Sequence, residues 1–313
     1  MLSSKIMTIA NFNLTFGEKN EPMLNYFESI VYPALKNVEG VKIEKSPYTF
    51  ENITLTIKNG IFVFCGLLVK STLLEVYSRY DSKGNLQRIS DKYPSDPYSY
   101  FMINLQNHRM ALVKNQKGSP TVKDLENAVE RVLKKYVSEQ NENQPKDSVE
   151  RLPKPILNIV SIPFSGKLIE ELKKVKKIEK LTMRFYPLNL DVSTHSTFNH
   201  LRELLEETGS TSGNTQINSP TNTDGVVELL EETKGLIKPS LRVVYSNNSK
   251  RTLTEDNFSY TSNIDLDDED TFQENLNMIS GKVINQQDYI KTSEENGKLY
   301  EKFFSMLERM FNS

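Results

Sequence analysis

Ile53-Thr54-Leu55-Thr56-Ile57-Lys58-Asn59-Gly60-Ile61-Phe62-Val63-Phe64-Cys65-Gly66-Leu67-Leu68-Val69 reads as two β-rich runs joined by a turn. Lys58-Asn59-Gly60 separates Ile53 to Ile57 from Ile61 to Val69 and is a hairpin signal, because Asn and Gly tolerate the positive φ of a turn. The arrangement repeats downstream. Val76 to Tyr80 and Leu86 to Ile89 flank Asp81-Ser82-Lys83-Gly84-Asn85, and Tyr100 to Leu105 and Met110 to Lys114 flank Gln106-Asn107-His108. Successive hairpins imply an antiparallel meander, since parallel pairing needs longer crossovers.

Elements of both kinds flank this meander. Thr8 to Phe16 alternates apolar and polar residues, the period of a half-buried strand. Met23, Tyr26, Phe27, Ile30, Val31 and Leu35 recur at helical spacing, which predicts a helix over 21–37. Beyond the hairpins, Leu125, Val129, Val132, Leu133 and Tyr136 form the stripe of a helix from Val122 to Val137. Thr121 and Asp124 are spaced as a capping box at its start. Ser138 to Pro153 is polar and proline-bounded, so the boundary is expected there: a module over 1–142, a linker over 143–153 and a module over 154–313.

The second module opens with an apolar strand, Leu157 to Ile162. A helix about Gly166 to Val175 and a strand about Leu181 to Tyr186, ended by Pro187, are predicted next. Phe198, Leu201, Leu204 and Leu205 mark another helix. The Ser/Thr/Asn/Gly-rich stretch 209–224 reads as a mobile loop. Val226 to Leu236 reads as helix, Leu241 to Tyr245 and Phe258 to Leu266 as strands, and Leu299 to Phe311 as an amphipathic terminal helix. The fold class expected is α+β: an antiparallel meander with helices, then an α/β module ending in a long helix.

With 37% hydrophobic residues the chain can build packed cores, and 313 residues favour more than one. Cys65 is the only cysteine, so no intrachain disulfide can form, which fits a reducing compartment. Met1 to Ala10 lacks the pattern of a secretory signal, and no apolar run approaches the roughly 18 residues of a membrane span. A cytoplasmic location is expected. The net charge of −2 hides a polarity: residues 1–200 carry +7 and residues 201–313 carry −9. Local fields, not the sum, decide which partner approaches.

Four constellations bear on catalysis or metal binding. Phe164-Ser165-Gly166-Lys167-Leu168 lies between a strand and a helix, but Ser161 stands where a phosphate loop needs its first glycine and Leu168 where it needs a hydroxyl. An ordinary strand-to-helix turn is expected. Asp224 with Glu232-Thr233-Lys234 has a nuclease-like spacing, yet Val226, Val227, Leu229 and Leu230 cluster as on a helix. His195 and His200 are five residues apart, which puts them on different helix faces, and His108 falls in a hairpin turn. Asp265, Asp267, Asp268, Glu269 and Asp270 form an acidic run without the spacing of a calcium loop, read as a solvated loop after a strand. No catalytic residue, metal site or cofactor is expected.

The basic stretch carries more. Lys167, Lys173, Lys174, Lys176, Lys177, Lys180 and Arg184 crowd one segment, and Lys173 to Arg184 holds six cations against Glu179 alone. Such density suits phosphate neutralisation, the main source of sequence-independent DNA affinity. Its bland alternative is a solvated helix end. Lys114, Lys117 and Lys123 are weaker additions.

The second module also carries a resemblance. Leu181-Thr182-Met183-Arg184-Phe185-Tyr186-Pro187, a helical and loop segment, Leu241-Arg242-Val243-Val244-Tyr245, a polar turn with Leu253 to Tyr260, and a terminal helix with Tyr300, Phe303, Phe304, Leu307 and Met310 follow in order. This layout resembles the RexA-like phage-exclusion and bacterial phage-defence proteins, over about two-thirds of the chain and without a diagnostic motif. The resemblance implies an intracellular homodimer that binds duplex DNA largely without sequence preference, acts in abortive infection, and works beside a separately encoded membrane protein. Two rival readings stand beside it. One is a partner-binding effector using the aromatics of Tyr93-Pro94-Ser95-Asp96-Pro97-Tyr98 or the terminal helix, and the other is a divergent metal-dependent nuclease.

Overall fold

The computed structural model describes residues 2–38, 40–43, 46–142, 144–145, 151–188 and 196–313. Strand β1 (Leu2–Phe16) is followed by the two-residue β2 (Glu21–Pro22). A 3-10 turn (Met23–Tyr26) and a π turn (Phe27–Val31) then lead into helix α1 (Tyr32–Lys36), so the helical spacing over 21–37 holds with uneven winding. Next come β3 (Val41–Ile43), β4 (Ser46–Lys58) and β5 (Ile61–Lys70). Asn59 and Gly60 have φ of 51° and 78°, and Lys58 pairs with Ile61, which is the turn the opening stretch predicts. A ribbon of β6 (Thr72–Tyr80) and β7 (Leu86–Ser95) precedes β8 (Tyr98–Asn104) and β9 (Arg109–Lys114). Helix α2 (Val122–Asn141) starts at the Thr121/Asp124 capping box.

After the linker run β10 (Pro155–Ser161), α3 (Ser165–Leu172), β11 (Val175–Phe185), α4 (Ser196–Thr208), β12 (Gly213–Asn218) and α5 (Thr223–Glu232). They lead to β13 (Lys238–Tyr245), β14 (Lys250–Thr254), the short α6 (Glu255–Phe258) and β15 (Thr261–Asp267). Helices α7 (Phe272–Val283), α8 (Gln287–Ile290) and α9 (Glu294–Phe311) close the chain. The fold class is α+β, with antiparallel pairing throughout the described sheets.

The first sheet runs β10-β1-β9-β8-β5-β4-β3, with β15 and β2 also on β1. One edge of β1 is shared: β15 pairs with Leu2 to Thr8 and β10 with Ala10 to Phe16. The hydrogen-bonded sheet therefore continues across the 143–153 stretch. Strand alternation gives this sheet two buried faces. Phe12, Leu14, Phe16, Phe64 and Phe101 pack against α2 through Leu125, Val129 and Leu133, and against α9 through Tyr300 and Leu307. Met7, Ile9, Cys65, Met102 and Val113 pack on the other face against Leu276, Ile279 and Val283 of α7. A strand buried on both faces reads as a near-continuous apolar run, which is why Ile61 to Val69 shows no alternation.

The second sheet runs β12-β11-β13-β14 and packs on one face only. Leu181 and Met183, Leu241 and Val243, and Leu253 meet Leu168 and Leu172 of α3 and Val226, Val227 and Leu230 of α5. It joins the first sheet through polar contacts. Asn13 Nδ2 donates to the Pro187 carbonyl at 2.7 Å, and Arg109 Nη1 to the Lys234 carbonyl at 2.8 Å.

Three expectations are corrected here. The stretch 209–224 contains edge strand β12, which binds β11 through its backbone while its polar side chains leave no apolar alternation to read. The helix expected to reach Val175 stops at Leu172 and β11 begins at Val175; Lys176 and Lys177 stand at the start of the strand pattern and hide its period from the sequence. The single strand expected from Phe258 to Leu266 is divided: α6 ends at Phe258 and β15 starts at Thr261.

Candidate nucleic-acid interface

The open face of the second sheet collects the charge. Since Leu181, Met183, Leu241, Val243 and Leu253 point into the core, Lys180, Thr182, Arg184, Ser240, Arg242 and Thr252 point the other way. The register lines them up in rows: Asn218, Lys180, Arg242 and Thr252 in one, Gln216, Thr182, Ser240 and Thr254 in the next, and Asn214, Arg184 and Lys238 in a third. Neighbouring strands lie about 4.8 Å apart, so these charges fall within one Debye length of about 10 Å and act together.

A carboxylate sits among them. Glu179 occupies an irregularity in the β11–β13 register between Ile178 and Lys180. Lys250 Nζ donates to its Oε1 at 2.9 Å, Arg242 Nε lies 3.2 Å from its Oε2, and Lys177 Nζ 3.7 Å from its Oε1. The hydrogen bond from Lys250 holds the Glu179 carboxyl below its ordinary range, with the Arg242 and Lys177 charges acting the same way. Three cations share one anion, leaving positive charge over. Arg184 is steadied by Ser212, whose Oγ is 3.3 Å from Nη2. At the inner end, Lys238 lies 3.2 Å from Glu126 and 3.4 Å from Glu255, so it serves the joint between the sheets.

The basic residues read from the sequence divide accordingly. Lys177, Lys180 and Arg184 come together on this face, and Lys176 stands exposed beside it, donating to Asn248 Oδ1 at 3.1 Å. Lys173 and Lys174 occupy the turn between α3 and β11, where a hydrogen bond with Glu171 raises the Lys174 ammonium above its usual range. Lys167 is turned toward β15, hydrogen-bonded to the Thr261 hydroxyl. Lys114 lies on β9, between Ile6 of β1 and Ser99 of β8, and Lys117 in the exposed segment after β9. Lys123, on α2, pairs with Glu126 at 2.7 Å.

Arg242 and Lys250 were missed. Arg242 was legible, as the one charged residue inside the apolar run Leu241 to Tyr245. Lys250 was not, because β14 looks like a polar turn until its partner is known.

The remaining constellations are placed as follows. Phe164 donates its backbone N–H to the Phe258 carbonyl at 2.8 Å, and its ring fills the space a Cβ on Gly166 would need. Asp224 and Glu232 lie on α5, as the helical periodicity predicts. His108 is buried, and exposed His200 has Nδ1 3.6 Å from Glu203; His195 lies outside the described residues. The acidic run begins on the first sheet, where Asp265 pairs with Ser4 in the ladder, and continues as the exposed segment Asp268 to Asp270 after β15, with Asp268 2.6 Å from the nearly buried Lys5 ammonium. Among the described residues no group of three or more His, Cys, Asp or Glu side chains is arranged to hold a metal ion. No described helix is long and apolar enough to cross a membrane. No known family model matches the chain, and no curated protein matches it.

Proposed function

We propose that the protein is a non-enzymatic, duplex-DNA-associated protein of phage exclusion, which binds the phosphate backbone largely without regard to sequence. The observation that carries the DNA reading is the excess of cations on the open sheet face, where Lys177, Arg242 and Lys250 share Glu179 and Lys180 and Arg184 stand alongside. Around them lie neutral hydrogen-bonding groups, Asn214, Gln216, Asn218, Thr182, Ser240 and Thr252, suited to phosphate oxygens. Such a surface supplies affinity through counterion release. The place in phage exclusion comes from the resemblance of chain layout.

Polarisation titration of a fluorescent duplex across a salt series tests the DNA reading. The triple variant Lys180→Glu/Arg242→Glu/Lys250→Glu is expected to weaken binding to every duplex alike. It should flatten the slope of log K against log salt by about one unit per contact removed. Lys298→Glu on α9 serves as the control with unchanged slope. An unaltered slope in the triple variant would overturn the assignment. Phage plating on cells carrying wild type or the triple variant checks the biological half, with exclusion expected only for wild type.

A further inference from the structure

Where β4, β5 and β8 meet the start of α7, the first sheet holds a pocket of about 460 Å³, within the range of small-molecule sites. Register sets its floor. Tyr100 pairs with Leu67 and Leu67 with Glu51, while Tyr98 pairs with Val69 and Val69 with Thr49. Directly paired residues share a face, so these six side chains form two rows of three, each about 10 Å long. Phe272 stacks on Tyr100 with centroids 6.0 Å apart and planes 12° from parallel, and Tyr98 meets Tyr100 edge-on at 5.5 Å. Buried Asn275 donates from Nδ2 to the Tyr100 hydroxyl at 3.2 Å and to the Asp267 carbonyl at 3.0 Å, which braces this aromatic wall.

Three carboxylates stand around the apolar floor, each from a different element. Glu51 comes from β4, Asp96 from the link between β7 and β8, and Asp270 from the segment before α7. All three are exposed, and none has an ion pair or a side-chain hydrogen bond among the described residues. A bulge shapes the lip at Glu51: the β4–β5 register shifts between Glu51 and Thr54, with Asn52 at φ 52°. No described lysine, arginine or histidine lines the pocket. Lys70, next to Val69, turns its ammonium to the opposite face of the sheet, 5.9 Å from the centre of the Tyr48 ring.

Unneutralised negative charge beside aromatic faces selects a cation. The placement of the carboxylates selects which kind. They are not arranged to hold one metal ion, because they are spread around an apolar floor rather than gathered at a point. We propose that the pocket binds an aliphatic polyamine, whose ammonium groups meet Glu51, Asp96 and Asp270 while its methylene segments lie on Leu67, Val69 and the rings of Tyr98, Tyr100 and Phe272. A single quaternary ammonium would match one carboxylate and leave the other two without a partner. The site uses no residue of the second sheet, so it stands apart from the DNA reading.

Isothermal titration calorimetry of spermidine into the full chain, freed of nucleic acid and at low salt, provides the test. Wild type is expected to bind one equivalent saturably. Asp96→Asn/Asp270→Asn should weaken binding by about tenfold through the lost charge contacts, and Tyr98→Leu by about threefold through the lost ring face. Glu301→Gln, at an exposed carboxylate of α9, is the control and should leave binding unchanged. Circular dichroism unchanged in every variant confirms that folding is intact. Magnesium chloride and tetramethylammonium, titrated at matched ionic strength, are expected to bind more weakly than spermidine by about tenfold or more. Absence of saturable spermidine binding to wild type, undiminished affinity in the double variant, or equal weakening by Glu301→Gln would each overturn the proposal. So would magnesium or tetramethylammonium binding as tightly as spermidine.

Discussion

His108 shows how a single residue acquires chemistry from elements far away in sequence. It sits at φ 57° in the turn between β8 and β9 and is wholly buried. Burial first, and the neighbouring Arg109 charge second, push the imidazole down to about 3. The folded protein therefore holds it neutral, whereas the unfolded chain protonates it below about pH 6.5. The stability this neutral ring contributes is complete above pH 6.5 and is lost as pH falls toward 3, amounting to about 2 kcal/mol by pH 5. Urea unfolding at pH 7 and pH 5 checks this: His108→Asn, a residue that tolerates positive φ, should show a smaller loss on acidification than wild type. The turn was legible from Gln106-Asn107-His108, but its burial was not. Asn107 Nδ2 donates to the carbonyls of Tyr289 and Lys291 at 2.8 and 3.1 Å, so the cover comes from α8 and the segment after it.

Among the elements, those governed by local chemistry were the ones that could be read. Helix α2 was legible to its first residue because Thr121 and Asp124 satisfy each other's backbone groups: Asp124 N donates to Thr121 Oγ1 at 3.2 Å and Thr121 N to Asp124 Oδ2 at 2.8 Å. Thr121→Ala is expected to cost about 1 kcal/mol in chemical denaturation without altering the fold. In α9, Leu307 is fully buried against the first sheet, and Leu307→Ala should cost about 2–5 kcal/mol. A larger loss from the cap than from Leu307 would contradict this ranking. The first half of β11 and the whole of β12 were hidden for the opposite reason, whereas the strand read from Leu181 is the second half of β11. An exposed sheet face lets lysines replace the apolar alternation, and an edge strand needs only backbone partners, so neither advertises itself. Half of the candidate site was thus legible as a charge run, while its partners on β13 and β14 depend on register.

For the whole molecule, the polarity of charge along the sequence does not become a polarity between two bodies. The acidic run pairs back onto β1 through Asp265 and Asp268, and the basic run faces outward on the second sheet. Residues 1–142 made alone would lack β10 and β15, leaving one edge of β1 bare along most of its length. Such a fragment is expected to aggregate or to show no cooperative melting by circular dichroism, and a soluble, cooperatively melting fragment would contradict this. The amino-terminal strand has a further consequence in time. The segment that covers Leu2 to Thr8 leaves the ribosome about 250 residues after the strand it protects. The edge of Leu2 to Thr8 that β15 covers therefore stays bare until β15 has been made, and translation products that stop short of β15 carry an unprotected β-edge that quality control can recognise.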